Sequence, residues 1–378
     1  MWRTFRSRVM QPGVLAQAAG MGCVAALLLW AAHTVTANLQ ARGMASGFDF
    51  LGRPAGFDIA FSLIPYGPTD THARVFAVGA LNTLAVAAAG VVLATILGVL
   101  AGVARRSQTV VVRALAAAYV EAARNTPLPI QLLVVYALVT AAPPPRAALA
   151  LGGLGFVSNR GLYLPAPVWA WPAPVVAALC LACVLVTAWA VRRGARRGAG
   201  GRPLRLVAAG ALAVLLVLAA AFEGVSLPRP QGFGFEGGLE VGPPLLALLA
   251  ALSLYTGAYI AEVVRGGLAA VGRGQAEAAQ ALGLTPLQAL TLVVFPQALR
   301  VMVPPLVSQY LNLLKNSSLA VVVGYPDLVA TFGGTTLNQT GQAIETLGLV
   351  LVFYVTVSLA LSAAVNAWAA RQNRWARP

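Results

Sequence analysis

The feature that most constrains this chain is the recurrence of apolar stretches long enough to cross a lipid bilayer. A membrane-spanning helix needs about 20 apolar residues, within a range of roughly 17 to 25. Charged residues make up only 10% of the chain, far below the share of about 25% that is usual in soluble domains. Eight stretches qualify, some at the short end: 14–37, 75–104, 127–142 with a helical lead-in from 110, 175–191, 206–222, 245–264, 301–323 with a polar break, and 346–369. The sequence therefore predicts an all-α, polytopic membrane protein with about eight transmembrane helices.

The arginines predict how these helices are oriented. With eight spans both termini lie on one side, and nineteen arginines fall on that side against six on the other. Positive residues accumulate on the cytoplasmic side of a membrane protein, so we expect both termini in the cytoplasm. The first stretch exceeds the roughly 7 to 15 apolar residues of a signal peptide, and we expect it to be retained. The net charge of +15 reflects this orientation, and no nucleic-acid partner is expected.

The scarcity of lysine and histidine excludes two common kinds of site, a phosphate-binding loop and a zinc centre. Lys315 is the only lysine and follows Leu314, so the phosphate-binding pattern G-x-x-x-x-G-K-[ST] is absent. His33 and His72 lie far apart and cannot supply a zinc-binding helix or a three-histidine zinc site. We therefore expect no catalytic residue, no metal and no bound cofactor in this chain.

A polar segment between the sixth and seventh spans predicts two short helices joined by a sharp turn. Alanine, glutamine and glutamate favour a helix as far as Leu282, and Gly283 suits the left-handed position just past a helix end. Thr285 and Pro286 then supply an N-cap and a proline at the first helical position. The local pattern fits a docking element for another protein and, equally well, an ordinary pair of surface helices.

The spacing within this segment resembles the EAA loop of ABC importer permeases. Small residues beside a single acid would leave a flat helix face with one charge. The matching positions are Glu277, Ala278, Ala279 and Gly283, with Pro296 closing the pattern. Val293 and Phe295 stand where isoleucine and leucine are commoner in that family. These substitutions are conservative.

The resemblance extends over about residues 42–369. Segments 119–128, 255–267 and 314–320 look like the polar amino-acid branch of the family, and 47–59 is similar to the larger general L-amino-acid permease subunits. The resemblance implies a MetI-like, five-helix core made of the second, third, sixth, seventh and eighth spans. The implied organisation is an N-terminal helix and periplasmic loop over 1–74, a permease domain over 75–369 and a cytoplasmic tail over 370–378. Within the domain, periplasmic loops and a helical hairpin are inserted at about 143–243, and the coupling loop occupies about 266–297.

The resemblance also implies a location in a bacterial inner membrane, several partners and a substrate. Such a permease docks on a cytoplasmic ABC ATPase dimer that binds the ATP, pairs with a second homologous permease as a heterodimer, and receives polar amino acids from a periplasmic binding protein. An ion-coupled secondary amino-acid transporter is the alternative, but it would need a second broken span related by an internal repeat. A scaffold or sensor subunit that transports nothing is a third possibility, weakened by Lys315 and its polar neighbours.

Lys315 predicts a substrate path, because an ionisable residue inside a span is costly and usually functional. Good N-cap types follow it at Asn316, Ser317 and Ser318. We therefore expect a broken helix whose second half presents its N-terminus to the carboxylate of an amino acid. Alternatively, Lys315 extends to the outer interface or pairs with Asp327 or Glu345.

Other polar residues within spans are weaker candidates for the path. Asn82 and Thr83 lie in the second span and Gln131 in the third. Hydrogen bonds between helices would explain them equally well. The three long outer segments, 38–74, 143–174 and 223–244, are rich in Gly, Pro and aromatic residues. We expect them to be ordered loops.

Overall fold

The computed structural model describes residues 19–27, 29–30, 33–34, 38, 47–196, 202–232 and 234–373. These residues divide into two compact units, one formed by Met1–Val120 with Thr256–Pro378 and the other by Glu121–Tyr255. The main helices are α1 (His72–Ala104), α2 (Val110–Asn125), α3 (Leu128–Thr140), α4 (Ala173–Arg196), α5 (Arg202–Ala221), α6 (Pro243–Ala270), α7 (Arg273–Ala281), α8 (Pro286–Val323) and α9 (Ala343–Asn373). Between α8 and α9 lie a π-helical segment, Val329–Thr336, and a single α turn, Leu337–Thr340.

The helices confirm the prediction of a polytopic helical membrane protein. By length and composition, α1, α6, α8 and the Ala343–Ala363 part of α9 can each cross a bilayer. Three shorter apolar helices, Leu128–Thr140, Ala178–Val191 and Leu206–Ala221, match three further predicted stretches. Of the first predicted stretch, 14–37, residues 19–27, 29–30 and 33–34 are helical. The rest of that stretch lies outside the described residues.

Helix α8 corrects the prediction that a second short helix follows Gly283. The helix that starts at Pro286 continues as far as Val323. It passes through a π-helical turn, Ala289–Val294, immediately before Phe295 and Pro296. A proline in a helix has no N–H to give to the preceding turn, and the wider π turn accommodates that loss without ending the helix.

The prediction that α8 breaks at Lys315 is also wrong. Residues Ser317–Leu319 tighten into a 3₁₀ turn, and the helix goes on to Val323. The Ser317 hydroxyl donates to the carbonyl of Leu314 at 2.7 Å, and the Ser318 hydroxyl donates to that of Lys315 at 2.7 Å. Serine hydroxyls can either cap a new helix or bond back to an earlier carbonyl. Here they bond back, so no second helix start is presented to a ligand.

Helices α1 and α6 pack at very short range through glycines. A Cβ atom on Gly98 would lie 2.5 Å from the Cβ of Ile260, and one on Gly102 would lie 2.7 Å from the Cβ of Val264. These two glycines lie four positions apart, the G-x-x-x-G spacing that lets helix backbones approach closely in membranes. Larger residues from α8, among them Met302 and Leu313, complete this buried cluster.

A second cluster joins α1 to the segment that precedes it. The 3₁₀ turn Asp49–Gly52 places Phe50, which is fully buried, 6.1 Å from Phe332 of the π-helical segment between ring centroids. Asn82 of α1 donates to the carbonyls of Phe61 and Pro326, both at 2.8 Å. From residue 47 onward, the first predicted outer loop is therefore ordered, as expected.

The Glu121–Tyr255 unit contains two further ordered loops, which confirms that expectation, and it adds short strands that were not predicted. The strands are β1 (Leu149–Ala150), β2 (Phe156–Ser158), β3 (Gly161–Leu164), β4 (Ala166–Trp169), β5 (Phe222–Ser226), β6 (Arg229–Gln231), β7 (Gly234–Glu236) and β8 (Leu239–Val241). They form a sheet of order β1-β2-β3-β8 and the antiparallel pairs β4-β5 and β6-β7. Helices α4 and α5 form a hairpin in which Gly210 lies against Thr187.

Candidate functional site

The junction between α7 and α8 is a well-defined turn, which we call the Gly283 turn (residues 273–288). Helix α7 ends in a left-handed residue, Gly283, with φ of +84°. The Gly283 N–H donates to the Gln280 carbonyl at 2.9 Å, and the Leu284 N–H donates to the Ala279 carbonyl at 3.2 Å. This pair of hydrogen bonds is the Schellman arrangement that ends many helices. The predicted role of Gly283 in ending the helix is confirmed.

A capping box begins α8 on the other side of the turn. The Thr285 hydroxyl accepts from the Gln288 N–H at 3.3 Å, and Gln288 Oε1 accepts from the Thr285 N–H at 2.9 Å. Pro286 occupies the first turn, where its missing N–H costs nothing. The predicted N-cap at Thr285 is therefore confirmed. Backbone groups on both sides of Gly283 are satisfied locally, so the shape of the turn does not depend on a partner.

The exposed surface of the Gly283 turn differs in part from the expected flat face. Glu277 and Ala278 are exposed, but Ala279 is only 3% exposed and faces inward. Leu282 and Leu287 are 84% and 70% exposed, and the sequence interpretation missed them. The sequence does indicate their exposure, since these two leucines flank the turn between Gly283 and Pro286 in a polar loop. Pro296, which closes the family pattern, is exposed on α8 beyond the π turn.

A notch of about 320 Å³ lies behind the Gly283 turn. Its charged and polar lining comes from Arg106, just beyond the end of α1, and from Arg273, Glu277 and Gln280 of α7. Apolar residues of three helices line much of the rest, among them Leu268 of α6, Ala276 of α7 and Val294 of α8. The end of α1 therefore lies beside the Gly283 turn.

Lys315 lies on the surface of α8 beside a shallow groove of about 330 Å³. Ser318, Val329 and Tyr354 line the same groove, together with apolar residues of α9. Asn316 and Ser318 are partly exposed, whereas Ser317 is buried. The assignment of these four residues to a substrate path stays a prediction.

The two acids considered as partners of Lys315 have other roles. Asp327 is 1% exposed and accepts from the Ala330 N–H at 2.7 Å, in the first turn of the π-helical segment. Glu345 accepts from the Gly47 N–H at 2.8 Å. Within the described part of the chain, neither acid forms a salt bridge with Lys315. Extension of Lys315 to the interface stays a prediction.

The three weaker candidates all hydrogen-bond to backbone groups. Asn82 and Thr83 are fully buried. Thr83 donates to the Gly79 carbonyl and accepts from the Leu328 N–H, so it ties α1 to the segment after α8. Gln131, in the other unit, donates to the carbonyls of Ala123 and Thr126. These contacts give all three residues a structural role, and a role in the path stays a prediction.

Comparisons with known proteins agree on one family. The family described as "Binding-protein-dependent transport system inner membrane component" matches residues 94–377. The protein YhdX of Escherichia coli strain K12, named as an amino-acid ABC transporter permease, is 44% identical over 366 residues, which cover 93% of this chain and 91% of YhdX. The general L-amino acid transport system permease protein AapQ of Rhizobium johnstonii is 40% identical over 381 residues, which cover 96% of this chain and 93% of AapQ.

A third relative has a more specific name. The glutamate/glutamine/aspartate/asparagine transport system permease protein BztB of Rhodobacter capsulatus is 40% identical over 381 residues, which cover 90% of this chain and 88% of BztB. Each alignment spans nearly the whole of both proteins. The family match includes the Gly283 turn and all of α8 and α9. The chain therefore belongs to the family of binding-protein-dependent transport system inner membrane components.

Proposed function

We propose that this chain is the permease subunit of an ABC importer that takes up polar L-amino acids across the bacterial inner membrane. AapQ and BztB, both 40% identical to this chain, are named as amino-acid transport permeases. The long apolar helices supply the membrane-spanning part. In this role the chain carries out no bond chemistry, and ATP is bound and hydrolysed on a partner.

The Gly283 turn is the observation that carries this proposal. It is a preformed turn with one exposed acid, Glu277, beside two exposed leucines, Leu282 and Leu287. Exposed apolar residues with a polar rim are typical of a protein interface. We assign this surface to the cytoplasmic ATPase dimer, so that closure of the dimer moves α7 and the start of α8.

The remaining partners follow from the same role. A periplasmic binding protein delivers the amino acid to the outer side, and a second, homologous permease completes the path as a heterodimer. Both termini and the Gly283 turn then lie in the cytoplasm, in agreement with the arginine distribution. Lys315 and Ser318 contribute to the path through the groove they line.

Reconstitution of the complete importer tests the proposal. Proteoliposomes would contain this chain, the second permease and the ATPase, with binding protein outside and ATP inside. Radiolabelled glutamate, glutamine, aspartate and asparagine, the amino acids in the name of BztB, would be the probes. We expect uptake that requires ATP and the binding protein. Uptake driven by an ion gradient without ATP would instead support the secondary-transporter alternative.

A charge reversal then tests the docking surface. Glu277→Lys should weaken co-purification with the ATPase, because it reverses the exposed acid of the turn. Glu236→Lys makes the same change at an exposed acid of β7, on the predicted outer side, and serves as the matched control. Equal recovery of ATPase with both variants would remove Glu277 from the docking surface.

Thiol labelling tests the orientation. After replacement of Cys23, Cys180 and Cys183, a cysteine at Leu154, which is 71% exposed, should react in intact cells with an impermeant reagent. A cysteine at Gln275, exposed on α7, should react only after the membrane is opened. The opposite pattern would reverse the proposed topology.

A further inference from the structure

An ion-pair cluster joins the end of α1 to α6, at residues that the proposed function has not used. Arg105, the residue that caps the end of α1, forms a salt bridge with Glu262 of α6. The other oxygen of Glu262 accepts from Arg265 Nε at 2.9 Å. Side-chain exposure is 16% for Arg105, 22% for Glu262 and 46% for Arg265. The Arg105–Glu262 pair is thus largely shielded from solvent, and Arg265 lies at its rim.

Stability alone does not readily explain why this ion pair is shielded from solvent. Removing two charges from water is costly, and apolar residues of similar size often stabilise a fold equally well. A buried pair can instead fix the register of two packed elements. Here the two elements are α1 and α6, which the Gly98 and Gly102 contacts already bring to backbone distance.

The position of the pair relates it to the Gly283 turn. Glu262 lies two turns before the end of α6 at Ala270, and α7 begins three residues later at Arg273. Arg106, next to Arg105, lines the notch behind the turn together with Glu277. The pair therefore lies at the C-terminal end of α1, in contact with α6 and close to α7.

We propose that the Arg105–Glu262 salt bridge fastens α1 to α6, so that a displacement of the Gly283 turn carries α1 with it. The proposal rests on the function proposed above. Arg105 and Glu262 act as positioning residues, because they set how far the movement of the turn reaches into the membrane-spanning part. Without the salt bridge, ATP hydrolysis continues but moves α1 less, and fewer amino acids cross for each ATP used.

The test is the number of amino acids transported per ATP hydrolysed, measured in the reconstituted importer with the four radiolabelled probes. Arg105→Met combined with Glu262→Met removes both charges, so no unpaired charge remains buried. We expect this double variant to assemble and to retain ATP hydrolysis stimulated by the binding protein. Its transport per ATP should fall at least about fivefold, the lower end of ordinary coupling between sites. Normal transport per ATP in the double variant would overturn the proposal, because it would leave the pair only a structural role.

Three further variants, one of them a control, keep the test decisive if the double variant does not assemble. Arg105→Glu with Glu262→Arg exchanges the charges and should restore transport per ATP to within about threefold of the unmodified importer, whereas Glu262→Gln alone should not. An exchanged pair that assembles but transports as poorly as Glu262→Gln would contradict the proposal. Arg265→Met is the matched control, since it removes a second cation that contacts the same carboxylate and should leave transport unchanged. If the proposed function itself fails, the unmodified importer shows no ATP-dependent uptake.

Discussion

Thr285 and Gln288 cap each other across the first turn of α8, the threonine hydroxyl accepting from one N–H and the glutamine carbonyl oxygen from the other. This reciprocal pair caps the start of a 38-residue helix shortly after Gly283. We therefore expect the proposed docking surface to depend on small polar groups that need not touch the partner.

Thr285→Val tests that dependence. Losing an N-cap hydroxyl costs about 1 kcal/mol, which corresponds to about fivefold in affinity if the ATPase binds only the formed turn. Thr285→Ser keeps the hydroxyl and should bind normally. Titration of the ATPase against detergent-solubilised permease would measure both variants, and equal affinities would show that the cap does not control docking.

Gly283→Ala should weaken docking for a different reason. A side chain at the left-handed φ of Gly283 costs roughly 1 to 2 kcal/mol, so affinity for the ATPase should fall about 5- to 30-fold. Gly274, inside α7, has no atom within 4 Å of an added Cβ and no positive φ. Gly274→Ala is therefore the matched control and should bind as well as the unmodified chain. A loss of similar size in both variants would mean that α7 tolerates no added methyl.

Lys315→Met should lower uptake and leave assembly intact. The side chain is on the surface of α8 and forms no salt bridge among the described residues, so its loss should not destabilise the fold. Loss of one charge-assisted contact costs roughly 1.5 to 3 kcal/mol, or about 10- to 150-fold in apparent affinity for the substrate. Lys315→Arg should recover part of the uptake. Normal uptake by Lys315→Met would favour the interface alternative.

Alanine substitutions at three helix glycines should lower the stability of the fold by different amounts, according to how closely the added methyl group approaches its neighbours. Gly98→Ala places a methyl group 2.5 Å from Ile260 and near the Gly257 carbonyl, where the backbone has to move. Overpacking of this kind typically costs about 1 to 3 kcal/mol. Gly90→Ala meets only the flexible end of Leu313 at 3.2 Å and should cost less. Gly348→Ala in α9 meets nothing within 4 Å and should not destabilise. Thermal unfolding in detergent would rank the three, and any other order would contradict the packing.

The Gly283 turn could be predicted because its signals are local. Glycine past a helix end, a threonine N-cap and a proline in the first turn each favour one backbone conformation. The inward orientation of Ala279 could not be read from the sequence, since alanine fits either face of a helix. The serines after Lys315 were equally ambiguous, because the same hydroxyl can cap one helix or bond back within another.

Long-range contacts account for most of what the sequence left open. Arg105 and Glu262 are 157 residues apart, and neither stands out in its own segment. The strands of the outer loops have only two to five residues each, too few for a period of two to be recognised. Asn82 is recognisable from the sequence as a polar residue in a span, but its partners, Phe61 and Pro326, come from distant segments.

The π turn at Ala289–Val294 fixes the phase of α8. A π turn accommodates one residue more than an α turn, and each residue of an α-helix turns the chain by about 100°. Deleting a single residue between Ala289 and Val294 would let the helix close into regular α geometry. It would also rotate everything before it, including Thr285 and Leu287, by about 100° relative to Met302 and Leu313. The number of residues in this short stretch therefore determines how the Gly283 turn is rotated about the axis of α8. The identity of those residues does not change this rotation.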